Sequence, residues 1–277
     1  MVVTRVYGGL GNQLFQYAAG LGVACRLSTG LVVDARWFEV QYPNMARRVY
    51  ELSAFGIGPS FTRLRRLRLR LAGVTHFGRD GNVYEPQIEE LEGNVFLDGY
   101  WQDERYFRHC AEHVRAALEF RRPLGRSEAG LQAEIAACDA VAVHVRRGDY
   151  VSNPWLAEHF GALPLAYYEA AFAEVRSRVE RPRFFVFSDE PSWCESALGD
   201  RPDVRVVAGD PGSGYDALVL MASCRHAIIA NSSLSWWGAW LGATESGLVV
   251  APDPWYWDAF PGAQPVPPGW LRLAAAR

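Results

Sequence analysis

Apolar residues along this 277-residue chain gather in short continuous runs separated by longer amphipathic stretches. The runs are Val2–Tyr7, Leu31–Asp34 and Val95–Tyr100 in the first half. In the second half they are Ala140–Val143, Phe184–Phe187, Val204–Val207, Ala227–Ala230 and Leu248–Ala251. Runs of this length without polar alternation are the pattern of strands covered on both faces. Helical spacing falls between them, at about Leu14–Leu27, Glu104–Glu119, Ser127–Ala137, Pro164–Arg178, Tyr215–Cys224 and Ser235–Leu241. Strands alternating with helices predict an α/β fold with parallel sheets. Residues 37–57 and the Pro- and Trp-rich tail from Pro252 show no clear period. Arg122-Pro123-Leu124-Gly125 is the best linker, so the expected domains are 1–125 and 126–277.

Three of the second-half runs end in polar clusters. Ala140–Val143 leads into His144-Val145-Arg146-Arg147-Gly148-Asp149-Tyr150, Phe184–Phe187 into Ser188-Asp189-Glu190-Pro191, and Ala227–Ala230 into Asn231-Ser232-Ser233-Leu234-Ser235. In open parallel sheets, ligands bind outside the carboxyl ends of the strands. If the three strands are neighbours, paired guanidinium forks, a carboxylate, and hydroxyls at the start of a helix converge on one crevice. That is a plausible pocket for a nucleotide diphosphate. A structural Arg–Asp pair capping the strand is the competing explanation of the first cluster. The first half opens with its own glycine-rich loop, Gly8-Gly9-Leu10-Gly11-Asn12-Gln13, between a strand and a helix.

Composition narrows the classes. Apolar residues at 49% and aromatics at 13% suffice for a large core, and a net charge of −3 gives no reason to expect nucleic acid. Every one of the 28 basic residues is arginine, which excludes a lysine Schiff base and a P-loop lysine. The five cysteines, Cys25, Cys110, Cys138, Cys194 and Cys224, show no metal or disulfide spacing and fit a reducing compartment. With no signal-peptide layout and no apolar stretch of spanning length, a cytoplasmic protein is expected. Arg63–Leu71 alternates Arg and Leu. It is either a solvated helix with its leucines inward, the commoner use, or a peripheral contact with an anionic membrane carrying a lipid-linked acceptor. Nothing in the sequence specifies an oligomeric state.

Five segments, in order along most of the chain, resemble the α-1,2-fucosyltransferases of glycosyltransferase family 11. They are Gly8–Ala18, Asp98–Phe107, His144–Tyr150, Ser188–Glu190 and Asn231–Leu241. The third matches the H-x-R-R-x-D motif that protein O-fucosyltransferases and α-1,6-fucosyltransferases share. The resemblance implies a GT-B architecture, two Rossmann-like halves with parallel sheets facing across a cleft. The C-terminal half would bind the donor and the N-terminal half the acceptor. It further implies inverting transfer of L-fucose from GDP-β-L-fucose to the 2-hydroxyl of a galactosyl acceptor in a surface glycan.

Fucosyl transfer builds negative charge on the departing β-phosphate. The sequence has no Asp-x-Asp pair to hold a metal there, so no metal and no cofactor are expected, and Arg146 is the first choice for the neutralising cation. Arg147 belongs to the same donor-binding cluster and could assist, but the better expectation is that it pairs with an acid such as Asp149 and holds the loop. His144 is expected to shape the nucleotide pocket, Asp189 to read guanine, and Asn231, Ser232, Ser233 and Ser235 to serve the phosphates. His159 and Asp149 are the candidates for the general base; in place of the family's His-Gly pair this chain has His159-Phe160-Gly161. Gly9, Gly11, Asn12, Gln13 and Asp34 are expected to meet the acceptor. The tryptophans at 236, 237 and 240 have the spacing of a buried helix face.

Two rival readings remain at this point. Gly9-Leu10-Gly11 with Asp34 has the layout of a dinucleotide-dependent oxidoreductase, although Leu14 stands where a third glycine belongs. A glycan-binding protein without catalysis would use the many tryptophans, but not the arginine, aspartate and serine clusters together. A transferase for another GDP-sugar is the nearer alternative.

Overall fold

A computed structural model describes residues 1–40, 47–62, 73–79, 81–207, 214–257, 260 and 262–275. The arginine–leucine segment lies outside the described residues. The chain divides into one unit of Met1–Arg122 with Gly262–Pro265 and a second of Pro123–Pro261 with Val266–Arg277.

The first unit carries a parallel sheet of four strands: β1 (Val2–Arg5), β2 (Leu31–Asp34), β3 (Thr75–Arg79) and β4 (Val95–Gly99). Their order is β2-β1-β4-β3. The helix Leu10–Arg26 follows β1 and starts earlier than its periodicity suggests, because Gly9 in extended conformation caps it. The segment expected to be helical from Glu104 begins instead as two short 3₁₀ turns, with Asp103 accepting from the Arg105 amide, and becomes α-helical only at Ala111–Ala117. Strand β3 is a difference from the sequence reading. It is an edge strand with four of its five residues exposed, so it carries no apolar period.

The second unit carries six parallel strands: β5 (Asp139–Val145), β6 (Pro182–Ser188), β7 (Val204–Val206), β8 (His226–Ile228), β9 (Val249–Asp253) and β10 (Leu271–Ala274). The order is β10-β9-β8-β5-β6-β7. Residues Ala140 through Val145 are buried on both faces of β5, which is why the run reads as continuously apolar. Val141, Val143 and Val145 pack against Tyr167, Tyr168, Ala171 and Phe172 of the helix Leu165–Arg178. That helix also fixes the strand ends: the Tyr167 hydroxyl donates to the Ile229 carbonyl at 2.8 Å, and the Tyr168 hydroxyl to that of His144 at 3.3 Å. Trp236, Trp237 and Trp240 are buried core residues. Strand β10, inside the aperiodic tail, is the second strand the sequence reading lacks.

Candidate functional site

The chain runs from β5 outward to β6 and β7, then returns to place β8 on the other side of β5. The strand order therefore reverses at β5, and the crevice outside its carboxyl end is the topological switch point where open α/β sheets take ligands. The loops after β6, β5 and β8 carry the three polar clusters, so strand adjacency brings Arg146, Arg147, Asp189 and the serine turn to one edge.

Arg146 is held from two sides. Its Nη2 lies 2.7 Å from Asp149 Oδ1 and its Nη1 3.0 Å from Asp189 Oδ2. A guanidinium has five N–H donors, so two carboxylates orient the fork and leave donors for an anion. Arg147 does not pair with Asp149 as expected. Its Nε lies 3.0 Å from Glu190 Oε2 and its guanidinium sits 4.0 Å over the Trp193 ring. Successive residues past the strand end point apart, and Arg147 points toward the helix Pro191–Leu198. Asp189, expected at guanine, braces the arginine loop: Oδ1 accepts from the Arg147 amide at 3.0 Å while Oδ2 holds Arg146. Gly148 is part of this geometry, because a Cβ there would lie 2.6 Å from Asp189 Oδ2.

His144 is buried on β5. Burial, with Arg146 nearby, pushes its imidazole down to about 4, so it is neutral at pH 7. Its Nδ1 has no hydrogen-bond partner among the described residues. Folding therefore excludes a proton that the unfolded chain binds near 6.5. Stability is lost as pH falls from about 6.5 to about 4, by roughly 3 kcal/mol from this group. Urea titrations at pH 7 and pH 4.5 should show a smaller loss in His144→Gln than in wild type; equal losses would contradict the assignment.

The helix Ser233–Gly242 begins at the end of β8 with Ser232 as its cap residue, in extended conformation and making no side-chain cap bond. Its N-terminus carries the positive end of the helix dipole. Two of the residues expected to serve phosphates are corrected. The Ser235 hydroxyl is buried 3.2 and 3.1 Å from the carbonyls of Ala230 and Ser232, which share its one proton. Asn231, 2% exposed, spends its Nδ2 on the carbonyls of Phe160 and Gly161, at 2.8 and 3.3 Å. Ser232 and Ser233 stay with the helix start. His159 ends the helix Pro154–His159, its ring 4.6 Å from that of Trp155, and its Nδ1 is buried without a hydrogen-bond partner among the described residues.

In the first unit the order reverses at β1, between β2 and β4. Of the residues expected to meet an acceptor, three belong to the fold instead. Gly11 is buried in the first helical turn. Gln13 is fully buried, donating to the Gly8 and Val49 carbonyls and accepting from the Glu51 amide. Asp34 is 1% exposed and bound at both oxygens by Arg36, at 2.8 and 2.6 Å. Gly9 remains half-buried, and Asn12, half-buried, accepts from Gln102 Nε2 at 2.8 Å. The switch point brings other groups to this edge that sequence reasoning missed. Arg5 and Asp98 pair at 2.7 Å, both partly exposed, and the Tyr7 and Tyr100 rings meet edge-on at 5.1 Å. Next to them a cavity of about 590 Å³ is lined by Gly78, Arg79, Gly81, Val83, Glu85 and Asp98. The signal for Asp98 and Tyr100 was present in their position at the end of an apolar run.

Residues 90–273 match the family model described as Glycosyl transferase family 11. The chain belongs to that family. It is 31% identical over 291 aligned residues to the alpha-1,2-colitosyltransferase of Escherichia coli, with 99% of each chain covered. It is 28% identical to the O-antigen biosynthesis glycosyltransferase WbnK of Escherichia coli, over 90% of this chain and 93% of that one. It is 25% identical to the galactoside alpha-(1,2)-fucosyltransferase 1 of Ateles belzebuth, over 97% of this chain and 73% of that one. As a family 11 member the protein is a glycosyltransferase, and each of its two units carries a parallel α/β sheet. The oxidoreductase and non-catalytic readings are set aside. No helix among the described residues is long and apolar enough to cross a membrane.

Proposed function

We propose that this family 11 enzyme transfers a 6-deoxy-L-hexose, L-fucose or its 3-deoxy analogue colitose, from a GDP donor to the 2-hydroxyl of a galactosyl acceptor, with inversion and without a metal. The observation that carries the proposal is Arg146 at the switch point of the second sheet, oriented by Asp149 and Asp189 beside the start of the serine helix. The fork donates to β-phosphate oxygens whose charge grows as the glycosidic bond breaks, and the Ser232–Ser233 turn binds the diphosphate at the helix N-terminus. Because two carboxylates fix the guanidinium beforehand, little reorganisation is needed when the charge develops. His144 stays neutral and lends the pocket a hydrogen-bonding group without charge. Asp189 and Glu190 hold the arginine loop, and Asp189 keeps lone pairs for the guanine edge. His159 takes the acceptor proton, which leaves late in an oxocarbenium-like transition state, so a weak base suffices.

The acceptor meets the first unit at the carboxyl edge of β1 and β4. Gly9 and Asn12 lie there, with Tyr7 and Tyr100 offering faces to a sugar ring and Asp98 accepting from its hydroxyls. Kinship with a colitosyltransferase and with a galactoside fucosyltransferase supports a deoxysugar donor and a galactose-type acceptor, and kinship with an O-antigen enzyme supports a surface glycan as destination. Lactose-dependent GDP release should be measured with GDP-fucose, GDP-colitose and GDP-mannose at equal concentration. Release from one or both deoxysugar donors, at least about 100-fold above GDP-mannose, is expected. Preference for GDP-mannose would overturn the donor assignment.

A further inference from the structure

We propose that Asn231 is a positioning residue for His159, tying the loop that carries the imidazole to the strand end that starts the serine helix. The inference rests on the reading of His159 as base. All three carbonyls of the 159–161 loop are engaged. That of His159 accepts from the Trp257 amide at 3.1 Å, and those of Phe160 and Gly161 accept from the Asn231 amide. Asn231 is itself held from the arginine side, where the Tyr150 hydroxyl donates to its backbone carbonyl at 3.1 Å. The Tyr150 ring contacts the Phe160 ring, with centroids 5.7 Å apart, and the Arg146 guanidinium lies 5.7 Å from the Tyr150 centroid. One buried amide thus sits between the group that meets the leaving phosphate and the group that takes the acceptor proton.

A side-chain amide suits this task. Its Nδ2 carries two donors, one for each carbonyl. An aspartate of the same shape has no donor and would set a charge against both carbonyl oxygens. Loss of the clamp frees the loop by about an ångström, enough to cost about 10- to 100-fold in a step that depends on alignment. The diphosphate contacts of Ser232 and Ser233 are not routed through this amide, so nucleotide affinity is retained.

The test is a double-mutant cycle on kcat with Asn231→Ala and His159→Gln, with GDP affinity measured calorimetrically for each protein. Asn231→Asp repeats the cycle as the isosteric variant, should the alanine variant fail to fold. His159→Gln should lower kcat by about 100-fold. Asn231→Ala should lower kcat by about 10- to 100-fold in the wild-type background, leave GDP affinity within about 3-fold, and cost almost nothing in the His159→Gln background. Equal losses in both backgrounds would assign Asn231 a merely structural role and overturn the proposal. A fall in GDP affinity matching the fall in kcat would make it a donor ligand instead. A His159→Gln variant with wild-type kcat would overturn the base assignment, and this proposal with it.

Discussion

Replacing Arg146 by alanine should lower kcat by about 1000-fold, a loss of about 4 kcal/mol in transition-state stabilisation, while reducing GDP affinity far less. On the proposed mechanism the charge that Arg146 meets grows as the sugar departs, whereas in the ground state the helix start and the serine turn share the diphosphate. Arg146→Lys should recover no more than about 10-fold, since an ammonium is a point charge and has no planar fork. The native fork reaches Asp149 with one nitrogen and Asp189 with the other. A lysine satisfies one of them and leaves its own position undetermined. Single-turnover rates with saturating donor, set beside calorimetric GDP binding, separate the two effects. An alanine variant with kcat within about 5-fold of wild type would place the leaving-group cation elsewhere.

Gly161→Ala should destabilise the protein by about 3 kcal/mol, from left-handed backbone strain and overpacking together. Gly161 has φ of +60°, and a Cβ there would overlap the six-membered ring of Trp257. The loop is anchored on both sides, because the Trp257 amide is bonded to the His159 carbonyl and the Asn231 amide holds Phe160 and Gly161. Gly30 is the control: nothing lies within 4 Å of a Cβ built there, so Gly30→Ala should change stability by no more than about 0.5 kcal/mol. Urea denaturation of the three proteins checks the pair. Equal midpoints for Gly161→Ala and Gly30→Ala would contradict the packing described around the loop.

Much of this arrangement was legible from the sequence because burial on both faces leaves an unmistakable trace. The central strands β5 and β6 coincide with the runs at Ala140 and Phe184, and the polar clusters after β5, β6 and β8 share an edge as their order along the chain suggested. Strands β3 and β10 left no such trace, since edge strands bury little and Thr75–Arg79 is largely exposed. The helices Gly148–Ser152 and Pro154–His159 are too short to display a 3.6-residue period. Side-chain duties were harder to read than elements. An amide or carboxylate beside a glycine-rich loop suits a sugar, yet Gln13 is bonded to backbone groups of Val49 and Glu51, far away in sequence. Asn231 illustrates the same point: its residue type suits a phosphate turn, and only the return of the chain at Phe160 reveals which acceptors it serves. Arg147 pairs with an acid as its sequence context suggests, but the direction of the side chain past the strand end selects Glu190 over the nearer Asp149.

In the proposed function a protein cation, rather than a bound metal, meets the leaving diphosphate. Acceptor-dependent GDP release from GDP-fucose or GDP-colitose by the wild-type enzyme, with lactose as acceptor and EDTA in excess, tests it most directly. Turnover unchanged by EDTA is the predicted result. Turnover abolished by EDTA and restored by magnesium or manganese would contradict it.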